Sequence, residues 1–102
     1  MAKRNGNLNR HFYELTVRNG RNHKNYDSYH KFISARSWAS LDYTGSPHRV
    51  ADSSLALEDF RVWVSNETGI AEKDILVEEI TSTSADHDDR RELIERYFKV
   101  TL

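Results

Sequence analysis

Residues 52–70 read DSSLALEDFRVWVSNETGI, and the spacing within them decides the fold class. Ala56, Leu57, Phe60, Trp63 and Val64 recur at intervals of three and four and fall on one stripe of a helix. The spacing predicts a helix over about residues 53–68. Asp52, Ser53 or Ser54 is placed to cap it by accepting bonds from free backbone N–H groups. Glu58 and Asp59 stand in its first turns, where the helix dipole favours acids. Gly69 follows the last turn and can take the left-handed cap conformation, with Ile70 packing back on Val64.

A single amphipathic helix needs an apolar surface to lie on, and the flanking segments read as strands. HFYELTVR, residues 11–18, alternates: Tyr13, Leu15 and Val17 point one way, Phe12, Glu14, Thr16 and Arg18 the other. Asn19-Gly20 ends it with residues that tolerate positive φ. YHKFISARSW, residues 29–38, reads as a second strand of imperfect alternation, and residues 39–51 as a loop around Gly45, Ser46 and Pro47. ILVEEITST, residues 75–83, is the next strand, and residues 84–92 are a hydrophilic connection. For the C-terminus two readings compete. Ile94, Phe98, Val100 and Leu102 form one face of a strand, whereas Leu93, Ile94 and Tyr97 would be the stripe of a helix over about residues 86–97. The strand is preferred.

The expected architecture is α+β: an antiparallel sheet of about four strands in β-β-α-β-β order, one helix across one face, two layers. The other sheet face, with Glu14, Thr16, Tyr97 or Lys99, would meet solvent or a partner. Residues 1–9 read as a flexible basic tail and residues 10–102 as one domain.

With 37% hydrophobic and 30% charged residues the chain is globular rather than disordered, although its mean hydropathy is low at −0.79. It has no cysteine, so disulfides and thiolate zinc sites are excluded. No apolar run is long enough for a membrane helix or a signal peptide, and a cytoplasmic location is expected. The net charge of −1 conceals a division: residues 1–49 carry nine Lys/Arg against three acids, residues 50–102 six against thirteen. The two halves either present faces of opposite sign or pair with each other.

RNGRNHKNYDSYHK, residues 18–31, mixes cations with aromatic rings, the two ingredients of a single-stranded nucleic-acid surface. Arg18, Arg21, Lys24, Tyr26, Tyr29, Lys31 and Arg36 are the candidate residues. The stretch matches no RNP, KH or helix-turn-helix pattern, and it reads equally as a solvated hairpin loop. His30 beside Lys31 and Arg36 supplies the residue types of a metal-free ribonuclease, a base with cations. DHDD, residues 86–89, lacks the glycine and distant glutamate of a calcium loop and reads as an exposed acidic turn. There is no P-loop, G-x-G-x-x-G or G-x-S-x-G motif. No catalytic set, metal or cofactor is expected.

The leading expectation is a small non-enzymatic macromolecule-binding protein, a protein-interaction module or inhibitor of the kind found among phage and mobile-element accessory proteins. Another protein is its expected partner. Its candidate interface comprises Trp38, Tyr43, Glu78, Glu79, Asp86, Asp88 and Asp89. Binding of single-stranded RNA or DNA through residues 18–38 is the alternative, and a ribonuclease a weaker one. A homodimer across a sheet edge is a further option.

Overall fold

The computed structural model describes residues 10–43, 46–81 and 88–102, without the side chains of residues 42, 43, 46, 47, 88 and 89. The expected tail, residues 1–9, and Asp86 lie outside the described residues. The chain runs β1 (His11–Val17), α1 (Tyr26–Ser34), β2 (Ala39–Tyr43), β3 (Ser46–Ser53), α2 (Leu57–Thr68), β4 (Ile75–Glu79) and α3 (Asp88–Phe98). All strand pairs are antiparallel and the sheet order is β2-β3-β1-β4. Up to β4 this is the split βαβ, or ferredoxin-like, order. The class is therefore α+β with a four-stranded antiparallel sheet, as the sequence implies.

Alternation in β1 divides the molecule into two cores. Tyr13, Leu15 and Val17 meet Tyr29, Phe32 and Ile33 of α1 and Phe60 and Val64 of α2, together with Ile70 and Ile75. On the opposite face Phe12, Ala39, Val50 and Ile80 pack against Ile94 of α3, with Leu93, Phe98, Val100 and Leu102 around it. The sheet thus has helices on both faces. The two-layer, one-helix expectation is corrected to three α-helices among the described residues, the third placed by an apolar patch on the face assigned to solvent.

Three element assignments are overturned. Residues 29–38 do not form a strand; Tyr26, Tyr29, Phe32 and Ile33 are one helical stripe, and the broken alternation was its trace. The stretch 18–31 is accordingly a short turn followed by most of α1, not a hairpin loop. Residues 39–51 are not a loop. They form β2 and most of β3, paired from Ala39↔Val50 to Tyr43↔Ser46. Their residues have weak strand propensity, and pairing of β3 with β1 in the sheet centre outweighs it. The C-terminus is helical over Asp88–Phe98, because burying Ile94 and Arg90 on the sheet requires helical spacing.

The helix that decides the class starts later than expected. Its N-cap is Ala56, and no side chain caps it; Ser53 Oγ instead accepts from the Leu55 N–H at 3.0 Å. Its stop is as expected: Gly69 has φ 78°, and its N–H donates to Ser65 O at 2.9 Å. Asn19 and Gly20 end β1 with φ of 69° and 51°.

Candidate functional site

Glu14 lies mid-strand in β1, on the face covered by α3. The register sets it directly opposite Glu78 of β4 and Val50 of β3. Two carboxylates facing across neighbouring strands repel. Arg90, from the first turn of α3, resolves this by donating to Glu14 Oε1 and to both Glu78 oxygens at 3.2 and 3.4 Å. His48 Nδ1 donates to the remaining Glu14 oxygen at 2.7 Å. The Arg90 side chain is only 4% exposed, so it has left water for these partners. Burial works against its charge, but the hydrogen bonds to Glu78 and Glu14 outweigh that and hold its pKa above the ordinary arginine value.

Beside this cluster Glu14, Thr16, His48, Leu76, Val77 and Glu78 line a cleft of about 180 Å³. On its β4 side Leu76 is exposed and the Glu78 side chain is 57% exposed. Among the described residues β4 ends the sheet, paired only with β1. Ile80 N–H donates to Phe12 O, and Arg18 N–H to Asp74 O. These fix the even-numbered residues of β4 as the ones bonded to β1. The N–H and C=O of Ile75, Val77 and Glu79 therefore aim outward. Arg61 of α2 donates to Ile75 O at 2.8 Å. Among the described residues, no hydrogen bond engages the outward backbone groups of Val77 and Glu79.

The candidate nucleic-acid residues fall in different surroundings. Tyr29 is fully buried, its hydroxyl donating to Leu15 O at 3.3 Å, and burial pushes its pKa up. Tyr26 packs half-buried against the same core. Arg36 stacks on Phe32 at 3.9 Å and near Trp63 at 5.1 Å, with one N–H on Phe32 O. Arg18 pairs with Asp74 at 3.3 Å. Arg21, Lys24 and Lys31 are exposed. Lys31 and Arg36 are brought together, with Ser28, Phe32 and Glu67, in a groove of about 310 Å³ between α1 and α2, and the rings of Tyr26 and Tyr29 lie 6.1 Å apart. His30 is exposed on α1 with its ring 5.8 Å from Tyr26.

Of the candidate protein-interface residues, Glu78 and Glu79 are neighbours on the β4 edge. Trp38 is half-buried in the aromatic cluster with Phe32, Phe60 and Trp63. Asp86 and the side chains of Tyr43, Asp88 and Asp89 lie outside the described residues. His48, Leu76, Val77 and Arg90 were missed from sequence, whereas Thr16 was placed with Glu14 on the face meeting solvent or a partner. A polar Glu14 between Phe12 and an apolar-rich strand was the one signal for this cluster.

The division of charge is partly cancelled by the fold. Arg10–Asp52, His11–Glu79 and Arg18–Asp74 each join a basic side chain of the first half to an acid of the second. Asp74 also accepts from His23 Nε2 at 3.1 Å, while His23 Nδ1 accepts the Asn25 N–H at 3.0 Å and so fixes the ring proton on Nε2. The His23 hydrogen bond, joined by the nearby charges of Lys73 and Arg18 and opposed by burial, lowers Asp74 from its ordinary value of 3.8. A carboxyl whose folded value lies below its unfolded value stabilises the fold above the unfolded value and loses that contribution as pH falls through the folded one. Asp74→Asn should therefore flatten the acid limb of the stability–pH curve below about pH 4, measured by urea unfolding. An unchanged acid limb would remove Asp74 as its source.

No helix among the described residues is long and apolar enough to cross a membrane. Comparison with family models, with curated proteins and with solved structures finds no match.

Proposed function

We propose that the chain is a small non-enzymatic binding protein, a protein-interaction module or inhibitor, that holds a partner polypeptide as an added strand on the outer edge of β4. One observation carries this: the outward backbone groups of Val77 and Glu79, flanked by exposed Leu76 and by Glu78. An edge of this kind is a template for pairing unless it is blunted. β4 has neither proline nor bulge, and its two glutamates discourage only partners of like charge. Strand addition draws affinity from main-chain bonds and specificity from alternate side-chain pockets, and the cleft beside Leu76 and Glu78 is such a pocket.

Val77→Pro tests this directly. The Val77 N–H takes no part in the β1 ladder, so proline there is expected to leave the fold intact while removing the outward donor. A partner recovered by cross-linked pull-down with the wild type should be lost with Val77→Pro and kept with an Arg21/Lys24/Lys31 triple alanine variant. The reverse pattern, accompanied by salt-sensitive binding of single-stranded RNA or DNA, would instead favour a nucleic-acid role for α1.

A further inference from the structure

We infer that the strand taken up by β4 is a basic one, carrying a lysine or arginine two residues from an apolar side chain; this rests on the β4-edge reading above. Side chains alternate across an added strand as they do across β4. Residues opposite Leu76 and Glu78 would point to the cleft face, beside Glu14, Thr16 and His48. Residues opposite Val77 and Glu79 would make the main-chain bonds and point to the α1 and α2 side.

The chemistry of the cleft mouth then selects the two cleft-facing positions. Leu76 is a large apolar side chain at 39% exposure and asks for an apolar neighbour. Two residues on, the Glu78 side chain is 57% exposed, and behind it stands Glu14; both carboxylates accept from Arg90, and Glu14 also from His48. An ammonium or guanidinium across from Glu78 joins a site already built around a cation between carboxylates. A carboxylate in that place would face Glu78 directly. Residues 75–79 contain no Lys or Arg, and Glu79, whose carboxylate is also paired with His11, adds a second acid to the edge. A second copy of this chain would bring another Glu78-Glu79 pair to the same edge, so charge disfavours self-pairing and favours a basic partner.

The test is an amide NMR titration of the full 15N-labelled chain with the peptide Thr-Lys-Thr-Leu-Thr-Lys-Thr, which presents lysine two residues from leucine in either strand direction. The control replaces both lysines with glutamate. The lysine peptide is expected to shift the Val77 and Glu79 amides, with affinity about tenfold above the glutamate peptide at low salt, since opposite charges across neighbouring strands attract and like charges repel. The preference should shrink between about 50 and 500 mM salt and in Glu78→Gln. Equal shifts from both peptides would overturn the basic-strand inference and leave the edge reading standing. No shift of those amides with either peptide would overturn both.

Discussion

Arg90→Ala is expected to destabilise the fold by about 3–5 kcal/mol, the cost of removing one partner of a buried ion pair. The arginine is the cation between two carboxylates that the sheet register holds opposite each other. Without it Glu14 stays buried on the α3 face with only His48 to satisfy it, and Glu78 faces a like charge. Domains of this kind have roughly 5–15 kcal/mol of stability in all, so the loss is a large fraction. The desolvation of Arg90 sets the sign of the companion result. Replacing both Glu14 and Arg90 with leucine should recover most of the loss, because well-packed apolar residues often match a buried pair. Guanidinium unfolding followed by circular dichroism measures both. A loss below about 1 kcal/mol for Arg90→Ala would mean that the pair behaves as a surface one.

Phe60→Ala is expected to cost about 3–5 kcal/mol by loss of transfer energy and the cavity left behind. Phe60, on α2, is fully buried in the larger core with residues of β1 and α1. Its ring lies 4.8 Å from Tyr13, 5.8 Å from Trp63 and 6.1 Å from Trp38, so few neighbours can collapse into the space. Tyr13 is itself held in place by a bond from its hydroxyl to Leu55 O at 2.7 Å, and burial together with Glu79 pushes its pKa up to about 12. Trp63→Ala should cost less, because Trp63 is only half-buried at the core's margin. Thermal unfolding followed by tryptophan fluorescence orders the two variants. A larger loss for Trp63 than for Phe60 would place the centre of the core elsewhere.

The two substitutions act on opposite faces of the sheet, and they differ in how far each was legible in the sequence. Phe60 belongs to a stripe whose period, acids and glycine stop all agree, so local pattern and final fold coincide. β1 was legible for the same reason, since a half-buried strand writes its two faces into alternate residues. α1 was misread because Phe32 and Ile33, adjacent in sequence, suit the centre of a strand as well as a helical stripe. β2 and β3 were misread because Ala, Ser, Asp and Pro favour no strand by themselves. Of the binding site, Glu78 and Glu79 were legible as acids, but their place on a sheet edge was not. Arg90 looked like one more charge in a polar segment.

By itself the sequence determined the elements whose pattern is local: β1 with its turn at Asn19-Gly20, the central helix with its stop at Gly69, a strand beginning at Ile75, though read to residue 83 where the strand ends at Glu79, and a sheet-and-helix class to contain them. Periodicity and turn chemistry act between residues a few positions apart, and no other part of the chain is needed to express them. Tertiary structure alone decided the rest. It selected helix over strand for Asp88–Phe98 by burying Ile94, made strands of weak formers by pairing β3 with β1, and buried Arg90 between Glu14 and Glu78. It also left β4 at the sheet's edge. Those outcomes depend on contacts between residues as far as 76 positions apart, where burial and charge pairing outweigh local preference.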